Sequence, residues 1–223
     1  MIYEILNFFL PNECLICRTY LPQGRQILCA ECHESLPIAT EEEKERQFNK
    51  AFRTSDIENF ESLYSFTKNS ALQDLVHELK YNQRFTFGKF LGKCVAEELR
   101  TKLNEWNIDC LLPIPLHHVK RSERGYNQAY YIAKGLSESL SIPVDTNLIK
   151  RVRFTQTQTA LNSEQRKLNV MDAFRINKKK KIKIKTVALI DDVITTGSTM
   201  KECARILKSA GVEKIYAISV GLA

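Results

Sequence analysis

The stretch from Thr186 to Met200 constrains the fold of this chain more than any other. Thr186-Val187-Ala188-Leu189-Ile190 is a short apolar run with β-branching, which reads as a buried strand. Asp191 and Asp192 follow, and Thr195-Thr196-Gly197-Ser198-Thr199 then turns into a helix. A buried strand that delivers acids and opens a helix belongs in an open α/β sheet, where ligands sit at the carboxyl ends of the strands. The turn offers amide and hydroxyl donors, and the helix dipole behind it favours an anion. Carboxylates accept hydrogen bonds from ribose hydroxyls or hold a divalent cation. Together these features predict a sugar-phosphate ligand.

The chain around this stretch alternates strands with helices. Residues 62–66 and 108–112, Ala173–Ile176 and Ile215–Val220 read as strands. Helices are expected around Leu72-Leu75-Val76-Leu79, over residues 90–103 and 127–140, and from Met200 to a stop at Gly211. The order implies a parallel sheet with helices on both faces. An acidic strand end also suits a P-loop ATPase, but the nearest candidate, Gly88-x3-Gly92-Lys93-Cys94, is one residue short and ends in Cys. No G-x-G-x-x-G occurs, so a dinucleotide fold lacks support.

Two further stretches bear on the ligand. Leu112 to Gln128 leaves a strand at the same sheet edge and carries Lys120, Arg121 and Arg124. Clustered bases in a strand-to-helix loop suit a pyrophosphate or a phosphodiester, and an ordinary solvated loop is the alternative. Arg151 to Leu161, continuing to Arg166 and Asn169, is rich in Thr and Gln without a helical or strand stripe. It reads as a lid over the site or as a plain surface loop. The six lysines between Lys178 and Lys185 read as an edge guard leading into the central strand, with DNA contact as the alternative.

The N-terminal part is of another kind. Cys14-x2-Cys17 and Cys29-x2-Cys32 supply four thiolates with the knuckle spacing of a structural, closed zinc site. Pro22 and Gly24 fall where the compact ribbon needs its turn. Cys94, Cys110 and Cys203 are scattered in apolar surroundings and read as core. Ile2, Ile5, Leu6 and Phe9 form one face of a short helix expected to dock on the protein itself. With Glu4 and no basic start, a secretory signal is not expected, and no apolar run approaches the ~20 residues of a membrane span. Residues 41–47 are almost all charged and read as an exposed linker or solvated helix. Charge is uneven: residues 1–55 carry 6 Lys/Arg against 8 Asp/Glu, and residues 56–223 carry 27 against 18. The larger part is cationic, which suits phosphorylated metabolites or nucleic acid.

These motifs resemble a known family. Val187 to Met200 resembles the PRPP (phosphoribosyl pyrophosphate) signature of type I phosphoribosyltransferases. The chain as a whole resembles the ComF (competence protein F) family. The resemblance rests on the four cysteines, on Pro113-Ile114-Pro115-Leu116 with Arg121, Arg124, Gly125, Tyr126, Asn127 and Gln128, on Arg153, Thr155, Gln158, Leu161, Arg166, Asn169 and Val170 with Ala173-Phe174, and on Asp191 to Thr199. It implies an α/β fold: a type I phosphoribosyltransferase-like parallel sheet flanked by helices, with a small N-terminal zinc-ribbon-like module. The expected organisation is a helix and zinc module over residues 1–37, a charged linker over 38–60 and the phosphoribosyltransferase domain over 61–223. By the resemblance, Asp191 and Asp192 hold the ribose hydroxyls, and Thr195, Thr196, Gly197, Ser198 and Thr199 wrap the 5′-phosphate. Lys120, Arg121 and Arg124 then face the Mg²⁺-bridged pyrophosphate, and Arg153, Thr155, Gln158 and Arg166 belong to a flexible loop that closes over it. Cys14, Cys17, Cys29 and Cys32 hold structural Zn²⁺. The implied physiology is natural transformation: a cytoplasmic protein, peripheral at the inner membrane, that meets single-stranded DNA and membrane-associated uptake machinery. A metabolic phosphoribosyltransferase acting on a nucleobase or small amine is the alternative.

Overall fold

The computed structural model describes residues 13–21, 27–68, 70–81, 84–153, 172–177 and 184–223. The expected helix around Ile2–Phe9, the turn at Pro22 and Gly24, and most of the lysine run lie outside the described residues. In chain order the elements are α1 (Ala30–Glu34), α2 (Glu41–Ala51), β1 (Asn59–Ser65), α3 (Ala71–Tyr81), α4 (Phe85–Glu98), α5 (Arg100–Glu105) and β2 (Cys110–Pro113). They continue as α6 (His118–Arg124), α7 (Gln128–Leu140), β3 (Ile149–Arg151), β4 (Phe174–Ile176), β5 (Thr186–Ile194), α8 (Ser198–Ser209) and β6 (Lys214–Leu222).

A parallel sheet in the order β1-β6-β5-β2 forms the centre. β5 lies between β6 and β2, so its residues face helices on both sides. Val187, Leu189 and Ile194 pack in one cluster with Met200, Cys203, Ala204 and Leu207 of α8. Ala188 and Ile190 pack in the other, with Leu91 and Val95 of α4 and Ile132, Ala133 and Leu136 of α7. Residues buried on both faces explain why the run is apolar without alternation. α4 and α7 cross closely because Gly92 and Gly135 sit at their contact; a Cβ on either would collide with the opposing backbone. Cys94, Cys110 and Cys203 are buried, as their surroundings suggested.

Several elements differ from the sequence reading. Ala173–Ile176 supplies β4, which pairs antiparallel with β3 in a separate two-stranded ribbon instead of joining the parallel sheet, and the helix expected over 90–103 is two helices, α4 and α5. β5 runs to Ile194, so the acids lie within the strand rather than beyond it. The reason is its partner: β6 continues to pair through Asp191↔Ser219, Val193↔Gly221 and Ile194↔Leu222. The expected basic loop is mostly a short helix, α6, closed by Gly125 in the left-handed conformation (φ 77°). The charged segment over 41–47 lies in α2, opened by a capping box in which Thr40 and Glu43 exchange hydrogen bonds of 2.8 and 3.2 Å. That helix is not solvated all round. Lys44, Gln47 and Ala51 are buried, and Phe52 beyond its end is fully enclosed against Phe60.

The connection from β2 to β5 passes through α7 on one face, and that from β5 to β6 through α8 on the other. The chain therefore changes face between β2 and β5. Crevices at the carboxyl ends of such neighbours are where open α/β sheets hold ligands. Asn127 caps α7 through Ala129 N (3.1 Å) and donates to the Ile114 carbonyl (3.0 Å), fixing the start of α7 against the loop that leaves β2.

Candidate functional site

Asp191 and Asp192 stand at this crevice. Each carboxylate accepts from the next amide, Asp191 Oδ1 from Asp192 N and Asp192 Oδ1 from Val193 N, both at 2.9 Å. Lys80, in the last turn of α3, reaches Asp192 Oδ2 at 2.8 Å. The two acids are consequently unlike. Burial, with the adjacent Asp192 charge, pushes Asp191 well above the usual carboxylate range. Burial acts on Asp192 as well, but the charge and hydrogen bond of Lys80 overcome it and hold Asp192 below its ordinary value. The two neighbouring carboxyls are thus shifted in opposite directions by their surroundings.

Beyond β5, Thr195 is exposed, Thr196 and Thr199 are half-buried, and Gly197 and Ser198 are buried. Gly197 is the N-cap of α8 and adopts φ +65°, so no side chain caps the helix from that position. The first amide, Ser198 N, donates to Thr196 Oγ1 at 3.4 Å, and the helix start as a whole favours an anion. The Thr196 and Ser198 hydroxyls lie 2.6 Å apart across the turn. α2 buttresses the turn from below: Gln47 Nε2 donates to the Thr195 carbonyl, and a Cβ at Gly197 would stand 2.5 Å from the Phe52 ring. Gly197 is thus required by its conformation and by Phe52.

Four cations gather here: Lys80 and Arg151 are drawn to the acids, and Lys120 and Arg124 lie close enough to repel those two. Lys80 comes from α3, Lys120 and Arg124 from α6, and Arg151 from the end of β3. Burial pushes Lys120 down, and Arg151, Arg124 and Lys80 add repulsion. Burial likewise lowers Arg151, against the attraction of Asp191, while its guanidinium lies 5.2 Å over the Phe174 ring. His117, buried at the N-cap of α6, is pushed down by burial, then by His118 and Arg151. Against these four charges the site sets two acids, Asp191 and Asp192. Positive charge crowded to the point of self-repulsion fits a polyanionic ligand. Arg121 is exposed on α6. Arg153 is exposed just past β3, with its amide on the Ala173 carbonyl. Thr155, Gln158 and Arg166 lie outside the described residues.

The sequence reading missed Lys80, Arg151 and the α2 buttress. Arg151 was visible as the first base of the Thr/Gln-rich stretch. Lys80 carried no such signal: it borders the apolar face Leu72-Leu75-Val76-Leu79 like many solvent lysines.

The cysteine quartet gathers away from the crevice. The four sulfurs lie within 4.8 Å of one another, and Cys17 and Cys29 are 3.7 Å apart. Sulfurs about 2.3 Å from a tetrahedral zinc stand about 3.8 Å from each other, whereas a disulfide needs about 2.0 Å. Cys29 N and Cys32 N each donate to a sulfur at 3.4 Å, on Cys14 and Cys29. The Thr19 hydroxyl draws the Cys17 thiol down to about 6, while the bond with Cys29 pushes Cys32 up to about 12. Thiols this close do not all ionise without a cation between them, so the cluster fits a metal ion such as zinc.

The chain is similar to several known proteins. A family model for the phosphoribosyl transferase domain matches residues 126–221. Competence protein F of Haemophilus influenzae is 32% identical, over 95% of this chain and 96% of its own length. DNA utilization protein YhgH of Salmonella typhimurium is 29% identical, over 91% and 86%. Competence protein ComFC of Streptococcus pneumoniae is 28% identical, over 70% and 65%.

Proposed function

The chain belongs to the competence protein F family, and we propose that it is a PRPP-binding protein of natural transformation that handles incoming single-stranded DNA at the cytoplasmic side of the inner membrane. The carrying observation is the acid pair Asp191–Asp192 between a glycine-capped helix start and four cations close enough to repel one another. A ribose bearing phosphate groups at both ends matches that sequence of features. Asp191 and Asp192 take the ribose hydroxyls, and the amides and hydroxyls of Thr195 to Thr199 take the 5′-phosphate. Lys120 and Arg124, joined by Lys80 and Arg151, neutralise the pyrophosphate, with Mg²⁺ arriving as part of the PRPP complex. Arg121 and the flexible-loop residues Arg153, Thr155, Gln158 and Arg166 are assigned to the same ligand on the family resemblance. Cys14, Cys17, Cys29 and Cys32 hold zinc in a structural role.

Charge neutralisation and positioning are the chemistry such a site performs on PRPP. Cations around a pyrophosphate leaving group stabilise the charge that develops as the C1 bond loosens. No nucleophilic side chain is required. The relatives' names, competence proteins and a DNA utilization protein, support the physiological part.

Calorimetric titration with PRPP and Mg²⁺ tests the site. Wild type is expected to bind and Asp191→Asn to lose binding while remaining folded; equal affinity in both overturns the site. A screen for pyrophosphate release from PRPP against nucleobases, with and without single-stranded DNA, tests the role. Turnover with a nucleobase that is indifferent to DNA would replace the transformation role by a metabolic transferase.

A further inference from the structure

The wall where α3, α4, α6 and α7 meet carries aromatic rings that the PRPP site does not use. Tyr81 ends α3 and is 56% exposed, and Phe85 opens α4 and is 47% exposed. Neither ring stands alone. Tyr81 lies 4.6 Å from His77, and Phe85 lies 5.3 Å from Tyr131. Tyr131 in turn contacts Tyr126 at 5.5 Å and Tyr130 at 5.1 Å. Neighbouring rings therefore restrain both side chains. Cations accompany them: the Arg124 guanidinium stands 5.5 Å over the Tyr81 ring, and Arg84 is 44% exposed beside Glu78. Arg124 also belongs to the cationic crevice, and Lys80 precedes Tyr81 in the same turn of α3. Tyr81 thus adjoins the crevice, and Phe85 opens the next helix.

We propose that Tyr81 and Phe85 are a stacking platform for the bases of single-stranded DNA, with Arg124 linking that platform to the PRPP crevice. The proposal rests on the DNA-handling role proposed above and gives it a location. Exposed π-faces beside a cationic track bind unpaired strands without sequence readout, because every base has a stacking face and every linkage a phosphate. A free nucleobase is the other ligand with such a face. Small ligands, however, are held in pockets that cover most of their surface. Rings about half exposed on an open wall suit a polymer that binds through repeated contacts.

The test measures the affinity of the full-length protein for a fluorescent oligothymidylate over a range of salt concentrations. Tyr81→Ala and Phe85→Ala are each expected to weaken binding about 5- to 100-fold, the size of one base–aromatic stack. The slope against salt should stay that of wild type, since no phosphate contact is lost. Tyr81→Trp should restore affinity, and PRPP titration of the same preparations reports that the fold is intact. Wild-type oligonucleotide binding with unchanged affinity in both alanine variants overturns the platform and leaves the DNA role standing. Absence of wild-type binding even at low salt overturns platform and DNA role together, and leaves the PRPP site to its own titration. Loss of affinity for a free nucleobase alone, with the oligonucleotide unaffected, overturns the platform in favour of an acceptor site.

Discussion

Asp191 and Asp192 carry the same side chain one position apart, yet their surroundings drive them in opposite directions. Asp191 is pushed well above its ordinary pKa by burial and its neighbour's charge, whereas Lys80 holds Asp192 below its own. The consequences for stability have opposite sign. Folded Asp191 keeps a proton that the unfolded chain releases at about pH 4, so it costs stability as pH rises from about 4 towards its folded pKa. Asp192 contributes stability above about pH 4 and loses it as pH falls through its lower folded pKa. Asp191→Asn is therefore expected to hold or raise Tm at pH 7, with the gain vanishing near pH 4. Asp192→Asn leaves Lys80, only 26% exposed, without its carboxylate. A broken buried pair costs about 3–5 kcal/mol; with Lys80 a quarter exposed, about 2–3 is expected at pH 7. Thermal melts of both variants from pH 4 to 8 check the signs; a Tm drop in Asp191→Asn matching that of Asp192→Asn refutes the unequal pair. Both substitutions are expected to abolish PRPP binding, so stability and binding part company at Asp191.

At the scale of elements, the helix under the phosphate turn matters most. α2 gives the Gln47 amide to the Thr195 carbonyl and leads into Phe52 beneath Gly197. Gln47→Ala is expected to weaken PRPP and ribose 5-phosphate about 5- to 10-fold, one buried hydrogen bond, while leaving inorganic pyrophosphate unchanged. Equal loss for all three ligands would make α2 a general scaffold rather than a support of the turn. Gly197→Ala meets both the left-handed φ and the Phe52 ring; a stability loss of about 1–2 kcal/mol or more is expected in urea unfolding. The legibility of these parts follows from where their determinants lie. β5, the Asn127 cap of α7 and the cysteine knuckles are local patterns and were readable. For α2 a helix was one of two readings, but its burial was not legible, because its core contacts come from Gln47, Ala51 and Phe52, set among Glu and Lys without a continuous apolar stripe. The extension of β5 past the acids depends on pairing with β6, and Lys80 reaches Asp192 only after α3 has packed. Strand ends and cross-element ion pairs belong to the partner as much as to the segment.

At the scale of the whole molecule, the cysteine module and the crevice are joined through α3. Cys14, Leu15, Leu21, Leu28 and Leu36 share one buried cluster with Leu72, Leu75 and Leu79 of that helix, whose last turn sends Lys80 to Asp192. His33, next to Cys32, adds a second tie: its Nε2 lies 3.2 Å from the Tyr64 hydroxyl and 3.5 Å from Cys94 Sγ, and its ring packs edge-on against Phe90. A metal ion in the quartet would therefore stabilise more than its own loop. Packing through α3 would also transmit its loss to the crevice. One zinc per chain is expected in the purified protein. Removal by a chelator, or Cys32→Ser, is expected to destabilise the fold and lower Tm. PRPP affinity should fall with it, because Lys80 loses its fixed approach to Asp192. The combination with Lys80→Met separates transmission through α3 from general loosening. If α3 carries the effect, metal removal should change PRPP affinity less in Lys80→Met than in wild type, while the Tm drop stays the same. An equal affinity loss in both backgrounds would place the coupling elsewhere, and a zinc-free protein of undiminished Tm would remove the module's structural role.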